Sequence, residues 1–202
     1  MSSPLDLRGV TIWPGFLSRA EQEAMLADLL TVMAIAPPIR PVTRWGRPMS
    51  VAMTSCGRLG WVSDRRGYRY EPHHPETGRP WPAIPDSLQA VWHALAPAAR
   101  EPESALVNLY REGARMGLHQ DRDEADLTQP VVSISLGDAA LFRVGGTARG
   151  GPTASIWLHS GDVCVIGGAA RLAFHGIDRI RAGSSDLLPG GGRINVTLRV
   201  VT

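Results

Sequence analysis

Three residues of this chain have the side chains and spacing to bind a divalent metal. His119 and Asp121 stand two apart in His119-Gln-Asp121. On a strand or at its exit, residues two apart point to the same side, so an imidazole and a carboxylate can reach one ion. Alone, an H-x-D is weak, because a loop histidine beside a solvated aspartate arises readily by composition. His175 supplies a third ligand. It closes the apolar run Leu172-Ala-Phe-His175, expected to be a strand, just before Gly176. Two histidines and a carboxylate on neighbouring strands make the facial triad of a non-haem Fe(II) oxygenase, with three coordination positions left for whatever activates dioxygen.

The last strand suggests the co-reactant. Along Arg193–Val201, strict alternation puts Arg193, Asn195, Thr197 and Arg199 on one face and Ile194, Val196, Leu198 and Val200 on the other. An edge strand would turn the polar face to water. If that face lines an interior, its two guanidinium groups need anionic partners, because an unpaired buried charge is costly. A dicarboxylate satisfies both, and arginine is the side chain suited to bidentate carboxylate capture. The chain's two asparagines sharpen the pattern: Asn195 lies between the two arginines, and Asn108 has Tyr110 two residues on.

The positioning elements follow from periodicity. Ser18 and Glu21 read as a capping box for a helix from about Arg19 to Met33, with Met25, Leu26, Leu29, Leu30 and Met33 at helical spacing and Pro37-Pro38 as the stop. A second helix is expected from about Ser87 to Ala96. Between them, residues 40–85 read as hairpins and long loops, in which His73-His74 is a solvated pair. From Ala105 the texture changes to short strands bounded by Gly, Pro, Asp or Ser: Ala105–Tyr110, Val131–Leu136, Ala140–Val144, Ser155–Leu158, Asp162–Ile166, Leu172–His175 and Arg193–Val201. Two helices followed by many short strands imply an α+β domain with a β-sandwich or barrel core.

Composition bounds the rest. The chain has 202 residues, 44% hydrophobic and 20% charged, enough for one domain with its own core and incompatible with disorder. All of its basic residues are arginine. Residues 40–79 hold eight of them against Asp64, Glu71 and Glu76, so a net charge of +2 conceals one basic segment. Cys56 and Cys164 form no C-x-x-C pair, which argues against a disulfide framework or zinc ribbon. No secretory leader or membrane-length apolar run is visible, so a cytoplasmic protein without membrane contact is expected.

The run Asn108-Leu-Tyr-Arg-Glu-Gly-Ala-Arg-Met-Gly-Leu-His-Gln-Asp-Arg-Asp-Glu124, the segment Arg171-Leu-Ala-Phe-His-Gly-Ile177 and the strand Arg193–Arg199 resemble the AlkB family, its bacterial members above all. These are Fe(II)/2-oxoglutarate-dependent dioxygenases that repair alkylated nucleic acid bases. The resemblance extends to Met49-Ser-Val-Ala-Met-Thr-Ser-Cys-Gly-Arg-Leu-Gly-Trp61 and Gly67-Tyr-Arg-Tyr70, and covers about residues 45–200. It implies a double-stranded β-helix (jelly roll) core over 105–202, preceded within one domain by N-terminal helices and a nucleotide-recognition lid at about 40–80. His119, Asp121 and His175 become the Fe(II) ligands. Asn108, Tyr110, Arg193, Asn195 and Arg199 become the 2-oxoglutarate site, with Arg193, Asn195 and Tyr110 at the distal carboxylate and Arg199 nearer the metal. Two departures bear on the substrate pocket. Ala173 stands where close relatives carry an aromatic residue, and the absence of lysine leaves phosphate contacts to arginine.

The basic segment interleaves Trp45, Trp61, Tyr68 and Tyr70 with Arg44, Arg47, Arg58, Arg65, Arg66 and Arg69. Arginine on phosphates and aromatics under bases suit single-stranded or flipped-base nucleic acid. By resemblance, Trp61 stacks on the extruded base, Tyr68 contacts its 5′ phosphate, Met53 and Arg149 line the pocket, and Asp123 faces the exocyclic amine. N1-methyladenine and N3-methylcytosine are cationic, so a buried carboxylate favours them. The expected activity is oxidative demethylation of DNA, or of RNA, by a monomer serving the bacterial nucleoid, with Fe(II), 2-oxoglutarate and O2 consumed and formaldehyde, succinate and CO2 released. Two other readings remain open on the residues alone. One is a dioxygenase of the same chemistry acting on a small molecule or protein side chain. The other is a catalytically silent nucleic-acid-binding module.

Overall fold

The computed structural model describes residues 3–43 and 45–202. Strands β1 (Leu5–Leu7) and β2 (Val10–Trp13) precede helix α1 (Arg19–Ile35). Strands β3 (Ala52–Gly57), β4 (Gly60–Asp64) and β5 (Gly67–Glu71) lead to helix α2 (Asp86–Leu95). The remainder is strands: β6 (Ser104–Tyr110), β7 (Met116–His119), β8 (Val131–Gly137), β9 (Ala139–Val144), β10 (Ala154–Leu158), β11 (Val163–Ile166), β12 (His175–Arg181) and β13 (Arg193–Arg199). No helix among the described residues is long and apolar enough to cross a membrane.

The strands form a seven-stranded sheet in the order β1-β2-β11-β8-β13-β6-β3 and a facing four-stranded sheet β10-β9-β12-β7, every pair antiparallel. This is the jelly-roll plan expected. The hairpin β4-β5 stands apart as a third, two-stranded unit. Alternation divides the core in two. On one side of the large sheet, Val107, Ile134, Val196 and Leu198 pack against Met25, Leu29, Leu88 and Trp92 of the helices. On the other, Leu106, Tyr110, Phe142, Val144 and Ile177 fill the space between the sheets. Strand β13 lies between β6 and β8, so it is a central strand whose polar face points inward.

The capping box at α1 is formed: Ser18 Oγ accepts from the Glu21 N–H at 3.3 Å, and Glu21 Oε2 accepts from the Ser18 N–H at 2.7 Å. The helix buries Val32, whereas Leu30, assigned to its apolar face by spacing, is 52% exposed. A larger departure concerns His175. Residues 172–174 form no strand, and His175 opens β12 instead of closing an apolar run. The polar continuation Asp178-Arg-Ile-Arg181 hides that strand from a hydrophobic pattern. His74 also departs from expectation: it is buried, contacts the Pro37 carbonyl at 2.9 Å through Nε2, and accepts from the Glu76 and Thr77 N–H groups through Nδ1. Cys56 on β3 and Cys164 on β11 are free and fully enclosed, and burial pushes both thiols up to about 12.

Candidate active site

His119 ends β7 and His175 begins β12, and the two residues are register partners. Gly176 permits this approach. A Cβ there would lie 2.5 Å from the Met116 carbonyl oxygen and 2.8 Å from that of Gly117, so any larger residue would drive the strands, and the two imidazoles, apart. The rings sit 4.6 Å apart by centroid. Asp121, on the loop just past β7, places Oδ1 3.7 Å from His119 Nε2 and Oδ2 3.7 Å from His175 Nε2. One ligand atom from each residue falls within 4.8 Å of the others.

The protonation pattern suits a cation. Each Nδ1 lies 3.0 Å from a backbone carbonyl, of Gly117 for His119 and of Ala173 for His175. A carbonyl can only accept, so Nδ1 donates to it and Nε2 is the ring atom turned toward Asp121. Burial lowers His175 to about 4, against the pull of Asp121, keeping the ring neutral. Burial pushes the Asp121 carboxyl the other way, but Arg199, His175 and His119 together hold it well below the usual carboxylate range. Its buried Oδ2 accepts no well-formed hydrogen bond. Two imidazoles that present Nε2 and an ionised carboxylate, their ligand atoms close together, fit a divalent transition metal.

The wall beside this cluster is β13 with β6. Arg193 pairs with Tyr110 and Asn195 with Asn108 across the ladder. Arg193 is 1% exposed, yet its partners are only Ser135 Oγ at 2.7 Å and the Asp138 carbonyl at 3.3 Å; it has no carboxylate among the described residues. Burial lowers its pKa. Asn195 is tied to Ser133 Oγ and the Ile134 carbonyl at 2.9 and 3.0 Å. Arg193 Nε, Asn108 Oδ1, Thr197 Oγ1 and Arg199 Nε are buried without hydrogen-bond partners. Of these, the two guanidinium N–H groups and the Thr197 hydroxyl can donate and suit an anionic ligand, whereas Asn108 Oδ1 as placed only accepts. Arg199 differs: its Nη2 is 2.9 Å from Asp121 Oδ2 and its Nε 3.3 Å from Glu124 Oε1, so it stands beside the histidine–aspartate cluster.

Residues 9–199 match the family model of the 2OG-Fe(II) oxygenase superfamily. The chain belongs to that superfamily. Within it the chain is AlkB-like. An alpha-ketoglutarate-dependent dioxygenase AlkB homolog of Caulobacter vibrioides is 59% identical over 191 residues, covering 95% of this chain and 87% of the relative. The alpha-ketoglutarate-dependent dioxygenase AlkB of Escherichia coli K12 is 44% identical over 181 residues, 88% of this chain and 83% of the relative. The solved structure of OsALKBH1 superposes with a TM-score of 0.83 at 29% identity, over 98% of this chain and 99% of that one. The enzyme is therefore an Fe(II)/2-oxoglutarate dioxygenase using O2.

In this AlkB-like dioxygenase a cavity of about 1040 Å³ joins all thirteen residues singled out from the sequence: the histidine–aspartate cluster, the five polar residues of β6 and β13, and Met53, Trp61, Tyr68, Asp123 and Arg149. Trp61 on β4 stacks against Tyr68 on β5, centroids 5.3 Å apart at 30°. The Trp61 indole N–H donates to Asp123 Oδ2 at 3.0 Å, linking the hairpin to the loop after Asp121. Arg149 reaches over the Phe174 ring at 5.6 Å. The basic segment is less free than its composition suggests. Arg58 pairs with Glu103, Arg66 with Asp64, and Arg69 with Asp64 and Glu71, whereas Arg47 and Arg65 have no ion pair among the described residues. Arg44 lies outside the described residues.

Sequence reasoning missed a buried charge network behind the site. Glu124 Oε2 meets Arg171 Nη2 at 3.0 Å, and Glu124 Oε1 accepts from the Tyr70 hydroxyl at 2.6 Å. Arg171 also donates to the Asp121 carbonyl at 2.5 Å. Nothing in the pattern Asp121-Arg-Asp-Glu124 marks the last residue as buried. Only the three-dimensional contacts reveal that it is sealed against Arg171 and Arg199.

Proposed function

We propose that this dioxygenase removes alkyl groups from nucleobases, acting on N1-methyladenine and N3-methylcytosine in single-stranded or flipped-base DNA, or in RNA. The observation that carries the reading is the Trp61–Asp123 contact: an aromatic plate and a carboxylate held together above the histidine–aspartate cluster, a setting for a flat cationic ring. Its AlkB kinship points the same way.

His119, Asp121 and His175 would hold Fe(II) on one face and leave the opposite face open. Arg193, with Asn195, Asn108 and Tyr110, would take the far carboxylate of 2-oxoglutarate, and Arg199 would neutralise the end beside Asp121. Bound there, Fe(II) with O2 and 2-oxoglutarate supplies the oxidation of the N-methyl carbon, the cosubstrate leaving as succinate and CO2 and the hydroxylated methyl group as formaldehyde. Residues 40–80 would act as a lid over the 105–202 core. Trp61 would stack on the base, Met53 would close the pocket's inner side, and Arg149 would border it. Tyr68, 48% exposed, would meet the adjoining phosphate. Asp123 gives one oxygen to the indole, leaving the other to accept from an exocyclic amine and to favour a positively charged ring. The enzyme would serve the cytoplasmic nucleoid as a monomer.

The test is formaldehyde release from an oligonucleotide carrying N3-methylcytosine, with and without Fe(II) and 2-oxoglutarate. Release that requires both is expected. Steady conversion of 2-oxoglutarate to succinate that no methylated oligonucleotide stimulates would instead indicate a small-molecule or protein substrate.

A further inference from the structure

We propose that Tyr70 is a positioning residue: its hydroxyl, bonded to Glu124, seats the β4-β5 hairpin on the loop that carries Asp121 and so sets the Trp61–Asp123 pair for an incoming base. The inference rests on the nucleobase reading and names what holds the substrate-facing hairpin in place. Trp61 and Tyr70 are register partners across the hairpin, so their side chains leave the same face. Both reach the loop after β7. The Trp61 indole N–H donates to Asp123 Oδ2 at 3.0 Å, and the Tyr70 hydroxyl donates to Glu124 Oε1 at 2.6 Å. One cross-strand pair thus bonds two consecutive residues just past Asp121.

The two bonds differ in what lies behind them. Asp123 is exposed and borders the cavity, where a base would arrive. Glu124 is sealed, and its carboxylate is fixed from two further sides: Arg171 Nη2 lies 3.0 Å from Oε2 and Arg199 Nε 3.3 Å from Oε1. Arg171 in turn donates to the Asp121 carbonyl at 2.5 Å and to the Gln129 carbonyl at 2.7 Å, bracing both ends of the loop. Burial, against the pull of Arg199, holds the Tyr70 hydroxyl above its ordinary range, so it stays a donor. Tyr70 therefore bonds the hairpin to a rigid frame, whereas the partner of Trp61 is one that the base would share.

The hairpin's other attachments point elsewhere. Val62 packs with Ala36 and Trp81, and the Trp81 indole N–H donates to the Glu71 carbonyl at 2.8 Å. Ser63 Oγ donates to the Val42 carbonyl at 2.6 Å. These contacts tie β4 and β5 to chain before and after them. Toward the loop of Asp121, the side-chain hydrogen bonds among the described residues are those of Trp61 and Tyr70. Without the Tyr70 hydroxyl, the hairpin would be bonded to that loop through Trp61 alone, at the contact the base would loosen.

The test compares the wild type with Tyr70→Phe, which keeps the ring and removes the hydroxyl. In protein without substrate, hydrogen exchange should quicken across the amides of β4 and β5 and stay as in the wild type across the seven-stranded sheet. Binding of an N3-methylcytosine oligonucleotide is then measured to protein loaded with Mn(II) and 2-oxoglutarate, so that no turnover occurs. Its affinity should fall about tenfold, the scale of one hydrogen bond to a buried carboxylate, while 2-oxoglutarate binds as before. In turnover with Fe(II) the loss should appear in KM, with kcat held within about twofold. Exchange that quickens equally in the sheet would make Tyr70 a residue of general stability and overturn the proposal. Unchanged exchange in the hairpin, undiminished oligonucleotide affinity, or a loss confined to kcat would overturn it as well. If the wild type binds methylated and unmethylated oligonucleotides alike, the nucleobase reading fails first, and the exchange measurement still decides whether Tyr70 seats the hairpin.

Discussion

On β13, Arg193 is buried and, among the described residues, hydrogen-bonds a serine hydroxyl and a backbone carbonyl; on the β4-β5 hairpin, Arg69, about a quarter exposed, clasps both Asp64 and Glu71. The same side chain thus serves two designs across one cavity. The core wall keeps a buried cation that makes no ion pair among the described residues, a costly setting that the proposed carboxylate ligand would relieve. The hairpin pairs most of its cations in water, where each contact contributes about 0–1 kcal/mol. In the proposed reading, function on the wall is held against stability, whereas on the β4-β5 hairpin it is carried by exposed groups the fold can spare.

The contrast can be tested most severely at the histidine–aspartate cluster. His119→Ala, Asp121→Ala or His175→Ala should reduce turnover to background, because two ligands cannot keep an open facial site. Co(II) should raise the thermal midpoint of the wild type but not of the three variants, since only a specific native site couples metal to folding. Next is the wall arginine. Arg193→Met should weaken 2-oxoglutarate binding by about 2–5 kcal/mol, the scale of breaking a buried charge pair. The ligand-free variant should melt no lower than the wild type, since the change removes an unpaired buried charge. A large loss of melting temperature would mean that Arg193 is structural and would erase the distinction between the two walls.

Effects on the lid should be smaller and confined to the oligonucleotide. Trp61→Ala is expected to lose about 1–3 kcal/mol of oligonucleotide binding, while slow uncoupled 2-oxoglutarate decay survives. Asp123→Ala should retain phosphate-driven binding and narrow the preference for a methylated over an unmethylated base. Salt dependence separates the two kinds of lid arginine. Arg65→Ala should reduce the slope of log Kd against log salt by about 0.7, one phosphate contact on a single strand, and Arg66→Ala, whose charge Asp64 already neutralises, should barely change it.

The smallest effect is on acid stability, at Glu103, where the two regions meet. Burial alone would raise its carboxyl, but the Thr202 N–H, Arg58, the Thr202 hydroxyl and the Val201 N–H together bring it to about 2. The folded value lies below the unfolded one, so its stabilisation is complete above about pH 4.5 and fades as pH falls toward 2. Glu103→Gln should lower stability at pH 7, where the ionised carboxylate contributes in full, and flatten the acid limb, so that variant and wild type converge as pH falls toward 2.

The two faces of β13 are legible in the sequence, because a strand with one apolar and one polar face has a period of two; its central place is not, since an edge strand can carry the same alternation. The α1 cap was equally plain, both partners being local. The strands β1, β2 and β7 escaped notice because three or four residues carry too little pattern, and β12 because Asp178, Arg179 and Arg181 interrupt its apolar alternation. The metal-site residues could be named, but their meeting depends on the close passage of β7 over Gly176, a contact between strands more than fifty residues apart. Charge arithmetic misled in the lid. A count of arginines cannot say that Arg58, Arg66 and Arg69 are already committed to carboxylates.

The two enclosed cysteines have a practical consequence. With thiols near 12, neither Cys56 nor Cys164 offers a thiolate at neutral pH, and each is buried on a strand of the seven-stranded sheet, Cys56 on its edge strand β3 and Cys164 on β11. An alkylating reagent can reach them only when β3 or β11 parts from its neighbours. The chain thus carries two intrinsic timers, one at the lid edge of the sheet and one beside β8. Mass spectrometry of partly alkylated protein would record which end of the jelly roll opens first.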